Sequence, residues 1–77
     1  MRLSGIVVTT SEHYFATTIT NLAACEGVQV HYCDEESSRI IVTQEAPNTE
    51  EEVKGLRRIK ALPHVVMAEM VYHYCED

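Results

Sequence analysis

The sequence predicts an α+β fold: a ferredoxin-like split β-α-β module (βαββαβ), with a four-stranded antiparallel sheet and two helices on one face. Three observations predict it. Apolar runs of strand period and helix period alternate as strand, helix, strand, strand, helix, strand. All six fit into 77 residues, the length of one domain, residues 1–77. The two β-α-β halves are also similar in length. A domain this small buries only ~60% of the surface its unfolded chain exposes, which leaves little interior for a deep, enclosed active site.

Each element has a local cause. Leu3 to Thr10 is rich in β-branched residues and reads as the first strand. Ser11 is placed to cap a helix, with Glu12 near the positive end of its dipole. Phe15, Ile19 and Leu22 share one helix face, and Ala16, Ala23 and Cys25 are small enough to let it approach a sheet. Gly27 is the expected stop. Val28, Val30 and Tyr32 alternate with Gln29, His31 and Cys33, giving a half-buried second strand. A polar turn, Asp34 to Ser38, joins it to a third strand, Arg39 to Glu45, ended by Pro47 and Asn48. Thr49 and Glu52 have the spacing of a capping box. Val53, Leu56 and Ile59 form the apolar face of the second helix, which Gly55 weakens by ~1 kcal/mol relative to alanine. Pro63 closes it, and Val65 to Cys75 is the fourth and longest strand.

Strand parity then assigns the sheet faces. Ile6, Val8, Val28, Val30, Tyr32, Ile40, Val42, Val66, Ala68, Met70 and Tyr72 are expected to face the helices. The opposite face carries Gly5, Val7, Thr9, Gln29, His31, Cys33, Arg39, Ile41 and Thr43, with Val65, Met67, Glu69, Val71 and His73 from the last strand. This face is too polar for a second core and too apolar for an ordinary wet surface. Val7, Ile41, Val65, Met67 and Val71 form an apolar patch of the kind that marks an interaction site. A one-residue register error would reverse the assignment, strand by strand.

Composition narrows the partners. The net charge is −6, and four of the six basic residues (Lys54, Arg57, Arg58 and Lys60) crowd into one segment. Phosphate binding needs a basic face, so nucleic acid is not an expected partner. A basic peptide suits this field better. No stretch approaches the ~20 apolar residues of a membrane helix, so no membrane insertion is expected. No secretory signal is recognisable, which makes the cytoplasm the expected compartment. Three cysteines (Cys25, Cys33 and Cys75) are too few and scattered for a disulfide framework.

Candidate chemistry is sparse. His31-Tyr32-Cys33 and His73-Tyr74-Cys75 repeat, and four such ligands suit zinc. In the expected strand order, however, the second and fourth strands are opposite edges, roughly 14 Å apart, and convergence on one metal needs two chains. No Cys-x-x-Cys, phosphate loop or nucleophile elbow is present. His13 and His64 have no evident partner. No enzyme activity and no cofactor are expected.

The ending Met70-Val71-Tyr72-His73, followed by Glu76 and Asp77, resembles the NapD family. Gly5-Ile6-Val7-Val8 resembles that family's first strand and Arg39-Ile40-Ile41-Val42 its third, so the likeness runs nearly the whole chain. The resemblance implies a small cytoplasmic chaperone of the periplasmic nitrate reductase. Such a chaperone binds the twin-arginine signal peptide of the catalytic subunit and restrains export until the molybdenum cofactor is inserted. It binds no cofactor itself. A twin-arginine signal is a basic segment followed by an apolar one. It would lie on the open sheet face, on Val7, Thr9, Ile41, Thr43, Met67 and Val71, with its arginines pairing with Glu45 or Glu69. Glu69 has a second explanation, as an edge-strand charge that blocks aggregation. The alternative function is a homodimeric ferredoxin-like regulatory module, in which a second copy covers the face and a small effector binds at the interface. A weak homodimer is compatible with either.

Overall fold

The computed structural model describes residues 1–75; Glu76 and Asp77, which close the family-like ending, lie outside the described residues. Strand β1 (Arg2–Thr10) leads through a short 3-10 turn (Glu12–Tyr14) into helix α1 (Phe15–Ala23). Strands β2 (Val28–Asp34) and β3 (Arg39–Ala46) form a hairpin, then helix α2 (Thr49–Lys60) leads into β4 (Val65–Cys75). The sheet order is β2-β3-β1-β4, antiparallel throughout, so β2 and β4 are the edges.

One face of this sheet holds the core. Ile6, Val8, Ile40, Val42 and Ala68 are buried in one cluster with Phe15 and Leu22 of α1 and Ile59 of α2, which places both helices on that face. Ile6 pairs with Val42 and Met70, whereas the next residue, Val7, pairs with Ile41 and Glu69 on the other face.

Strict parity fails where the strands bulge. The β2 register shifts between Val30 and Tyr32, so Tyr32 lies opposite Ile41 and Cys33 opposite Ile40. Tyr32 is therefore on the open face and Cys33 on the helix side, the reverse of the alternation. On β4 the register shifts twice. Between Thr9 and Thr10 the shift turns Val65 onto the core and leaves Val66 exposed. Between Gly5 and Ile6 it places Tyr72 opposite Gly5 and His73 opposite Ser4. Tyr72 thus belongs to the open face and His73 to the helix side, with Val71 the extra residue between them. Each shift follows from one inserted residue, which exchanges faces for everything beyond it.

The helix ends also differ from expectation. Ser11 makes no side-chain cap, and α1 starts only at Phe15. The small residue that faces the sheet is Thr18, fully buried and donating to the Tyr14 carbonyl at 2.7 Å, while Ala16 and Ala23 are exposed. Helix α1 stops at Ala23, ahead of Gly27. The cap of α2 is Asn48, whose Oδ1 accepts from the Glu51 amide at 2.9 Å. Glu52 is therefore not the partner of a capping box; it points into the sheet. Val53 is exposed, whereas Leu56 and Ile59 pack on the core as expected, joined in the buried stripe of α2 by Glu52 and Gly55.

Gly55 does not fray the helix, because close packing requires it. A Cβ there would run into the side-chain amide of Gln44, which donates to the Glu52 carbonyl at 3.1 Å. Gly55→Ala should therefore destabilise the protein, although the same change in an exposed helix gains ~1 kcal/mol. Urea denaturation of the variant measures the sign. His64, unpartnered by sequence, stacks on Tyr14 with ring centroids 3.5 Å apart.

Candidate peptide interface

The open face is a grid of four rows across the strands. Met67, Thr9, Arg39 and Asp34 form the first row, and Glu69, Val7, Ile41 and Tyr32 the second. Tyr72, Gly5, Thr43 and Gln29 form the third, and Tyr74, Leu3 and Glu45 the fourth. Met67 is 53% exposed and Val71, in the β4 bulge, 55%; Ile41 is exposed and Val7 half-buried. The grid thus brings together seven of the eight residues expected there: Val7, Thr9, Ile41, Thr43, Glu45, Met67 and Glu69. Val71 borders it as an unpaired bulge residue.

Tyr72 gives the face its relief. Gly5 has no side chain, and the Tyr72 ring lies where a Cβ would be. An aromatic covering a strand glycine in this way shields the exposed backbone. Beside the ring a shallow cleft of about 630 Å³ opens, lined by Leu3, Gln29, His31, Thr43, Glu45 and Tyr72. Within it the His31 imidazole (Nε2) and the Thr43 hydroxyl are 2.7 Å apart. Among the described residues, no hydrogen bond or ion pair engages the side chains of Glu45, Glu69, Arg39 or Tyr72. Alternation alone puts Tyr72 on the helix side; only Gly5, a glycine inside a strand, signals in the sequence that a bulge or close approach is needed.

The helix side carries a polar group that the sequence did not disclose. Glu52 is only 4% exposed. Its Oε2 accepts from the Ser4 hydroxyl at 2.6 Å, and its Oε1 from Arg2 Nε at 3.1 Å. His73 Nε2 lies 3.5 Å from Oε2. Burial pushes the Glu52 carboxyl upward, but the Ser4 hydroxyl, the Arg2 guanidinium and His73 together outweigh it and hold the carboxyl below its ordinary value. This cluster ties β1, α2 and the far end of β4 together. The bulges also separate the two His-x-Cys pairs: His31 is on the open face and His73 on the helix side, at opposite edges. Among the described residues, no three His, Cys, Asp or Glu side chains are grouped to hold a metal ion.

The family model for the NapD protein matches residues 1–77. The chain belongs to the NapD family. Its fold is similar to the solution structure of the E. coli Tat proofreading chaperone protein NapD, with a TM-score of 0.87 and 25% identity. That match covers 97% of this chain and 79% of the E. coli protein. The fold is also similar to a transcriptional regulatory protein of the AsnC family from Pyrococcus furiosus (PF0864), with a TM-score of 0.77 and 24% identity. This second match covers 99% of the chain but only 52% of the regulator, and it shows the fold alone. A search of curated protein sequences finds no match. No helix among the described residues is long and apolar enough to cross a membrane.

Proposed function

We propose that this NapD-family chain is a cytoplasmic maturation chaperone. It binds the twin-arginine signal peptide of the periplasmic nitrate reductase catalytic subunit and restrains export until the molybdenum cofactor is inserted. It works by binding, without chemistry or a cofactor of its own. The observation that carries this reading is the open face, which exposes Ile41, Met67 and Val71 and also carries Glu45 and Glu69, two carboxylates with no hydrogen bond or ion pair among the described residues. The apolar part of a signal peptide gains burial on the first group, and its arginines gain a charge-assisted partner in Glu45 or Glu69. The similarity to a Tat proofreading chaperone supports the same assignment.

Titration calorimetry with the synthetic signal peptide tests it. The wild-type protein should bind, more weakly as salt is added. Met67→Asp and Val71→Asp should each weaken binding by about 1–2 kcal/mol, as expected at an interface hot spot, with circular dichroism unchanged. Unchanged affinity in both variants moves the site off this face. A stable dimer that buries Met67 and ignores the peptide would instead indicate the homodimeric regulatory module.

A further inference from the structure

Resting on the signal-peptide reading above, we propose that the open face binds its client in one direction. The arginine end lies over the cleft between Thr43, Glu45 and Tyr72, and the apolar segment runs over Val7, Ile41 and Met67.

The face is polar along its length. Glu45 stands at one end of β3 and Arg39 at the other, six residues or about 20 Å away along the strand. At the Arg39 end, Asp34 sits directly across the ladder and offsets Arg39, and Glu35 and Glu36 follow in the hairpin turn. At the Glu45 end, the adjoining cleft is lined by Glu26 and Glu51 together with Arg58 and Met1. The exposed Tyr72 ring and Glu45 share a cleft at the Glu45 end, so a peptide with its cations at one terminus and apolar residues beyond meets an aromatic face beside a carboxylate in one orientation only. The reverse places its arginines beside Arg39 and its apolar part against Glu45.

The cleft also fits the guanidinium itself. Tyr72 offers a ring that is half exposed and held over Gly5, and a guanidinium stacks on such a face. Glu45 shares the same cleft and can take the planar fork in a bidentate pair. Glu69 lies two rows and two strands from Glu45, about 17 Å away in the sheet lattice, so one guanidinium cannot serve both. In this orientation Glu69 flanks the apolar segment with Met67 and Val7, and acts as the charge that protects edge strand β4.

Nuclear magnetic resonance with a spin-labelled signal peptide tests the direction. A nitroxide just before the arginines should broaden the amides of Gln44 to Ala46 and Tyr72 to Tyr74. A nitroxide after the apolar segment should broaden Thr9, Arg39 and Met67. The reversed pattern overturns the proposal while leaving the face as the binding site. Absence of any binding by the wild-type protein overturns the function itself.

Affinity measurements test the cleft. Glu45→Gln and Tyr72→Leu should each lower affinity for the twin-arginine peptide on the order of tenfold, and much less for its twin-lysine analogue. Tyr72→Phe, which keeps the ring, should lose much less affinity than Tyr72→Leu, and Glu69→Gln much less than Glu45→Gln. An equal loss for both peptides on Tyr72→Leu means that the ring only covers Gly5, and removes the guanidinium site. A loss confined to Glu69→Gln places the arginines at the second row and overturns the orientation.

Discussion

Glu52→Ala is expected to cost about 3–5 kcal/mol of folding stability, because it leaves the Arg2 guanidinium partly buried without its partner. A chain of this length has roughly 4–12 kcal/mol in all, so the variant should sit near the edge of unfolding. Four features make the site sensitive. The carboxylate is almost fully buried, and it holds Arg2 at 3.1 Å and Ser4 at 2.6 Å. His73 Nε2 is within 3.5 Å of the same carboxylate. The same group sets an acid limit. Its carboxyl is held below the ordinary value, by the Ser4 hydroxyl and the nearby positive groups acting against burial. The folded state therefore binds that proton less readily than the unfolded chain does. The stabilisation is complete above the unfolded carboxyl's pKa, about 4.3, and is lost as pH falls through the lower folded value. Urea midpoints measured from neutral pH down to pH 3 should fall over this range in wild type. In Glu52→Gln, which cannot ionise, the slope should be shallower and the midpoint at neutral pH lower. A slope identical to wild type would assign the acid sensitivity to other carboxylates.

This cluster shows where sequence reasoning stops. The element order, the polar hairpin turn and the span of β4 from Val65 to Cys75 were all legible, because periodicity and turn chemistry act locally. The faces of β1 and β3 were legible too, since neither strand carries an inserted residue. The faces of β2 and β4 were legible only in part. Tyr32, Val66 and Tyr72 turned outward and Val65, Cys33 and His73 inward because register depends on pairing with a neighbouring strand, which alternation along one strand does not encode. Glu52 departs from its local pattern for a similar reason. Its spacing from Thr49 fits a capping box, but Asn48 already serves the helix end, and the buried hydroxyl of Ser4 lies within reach across the core. The candidate face consequently gains Tyr72 from the structure, while alternation along the strands places Val7, Ile41, Met67 and Glu69 on it.

Ile6 and Val7 are neighbours in sequence whose replacement should have opposite consequences. Ile6 is fully buried in the cluster that both helices share, so Ile6→Ala removes packed methylene groups and leaves a void. The expected cost is about 2–5 kcal/mol of stability. The residual folded protein should still bind the signal peptide with near-native affinity, because its open face is unchanged. Val7 lies between Ile41 and Glu69 on that open face and is only half-buried. Val7→Ala should therefore cost less than about 1 kcal/mol of stability, since part of the side chain already meets water. It should nonetheless weaken peptide binding, because Val7 is the middle of the apolar row. Urea denaturation paired with calorimetry on the two variants separates the effects. If both variants lose stability and binding together, the sheet faces are coupled and the open face is not an independent docking surface. If Val7→Ala binds as wild type does, the apolar segment of the peptide rests nearer the β4 edge, on Met67 and Val71.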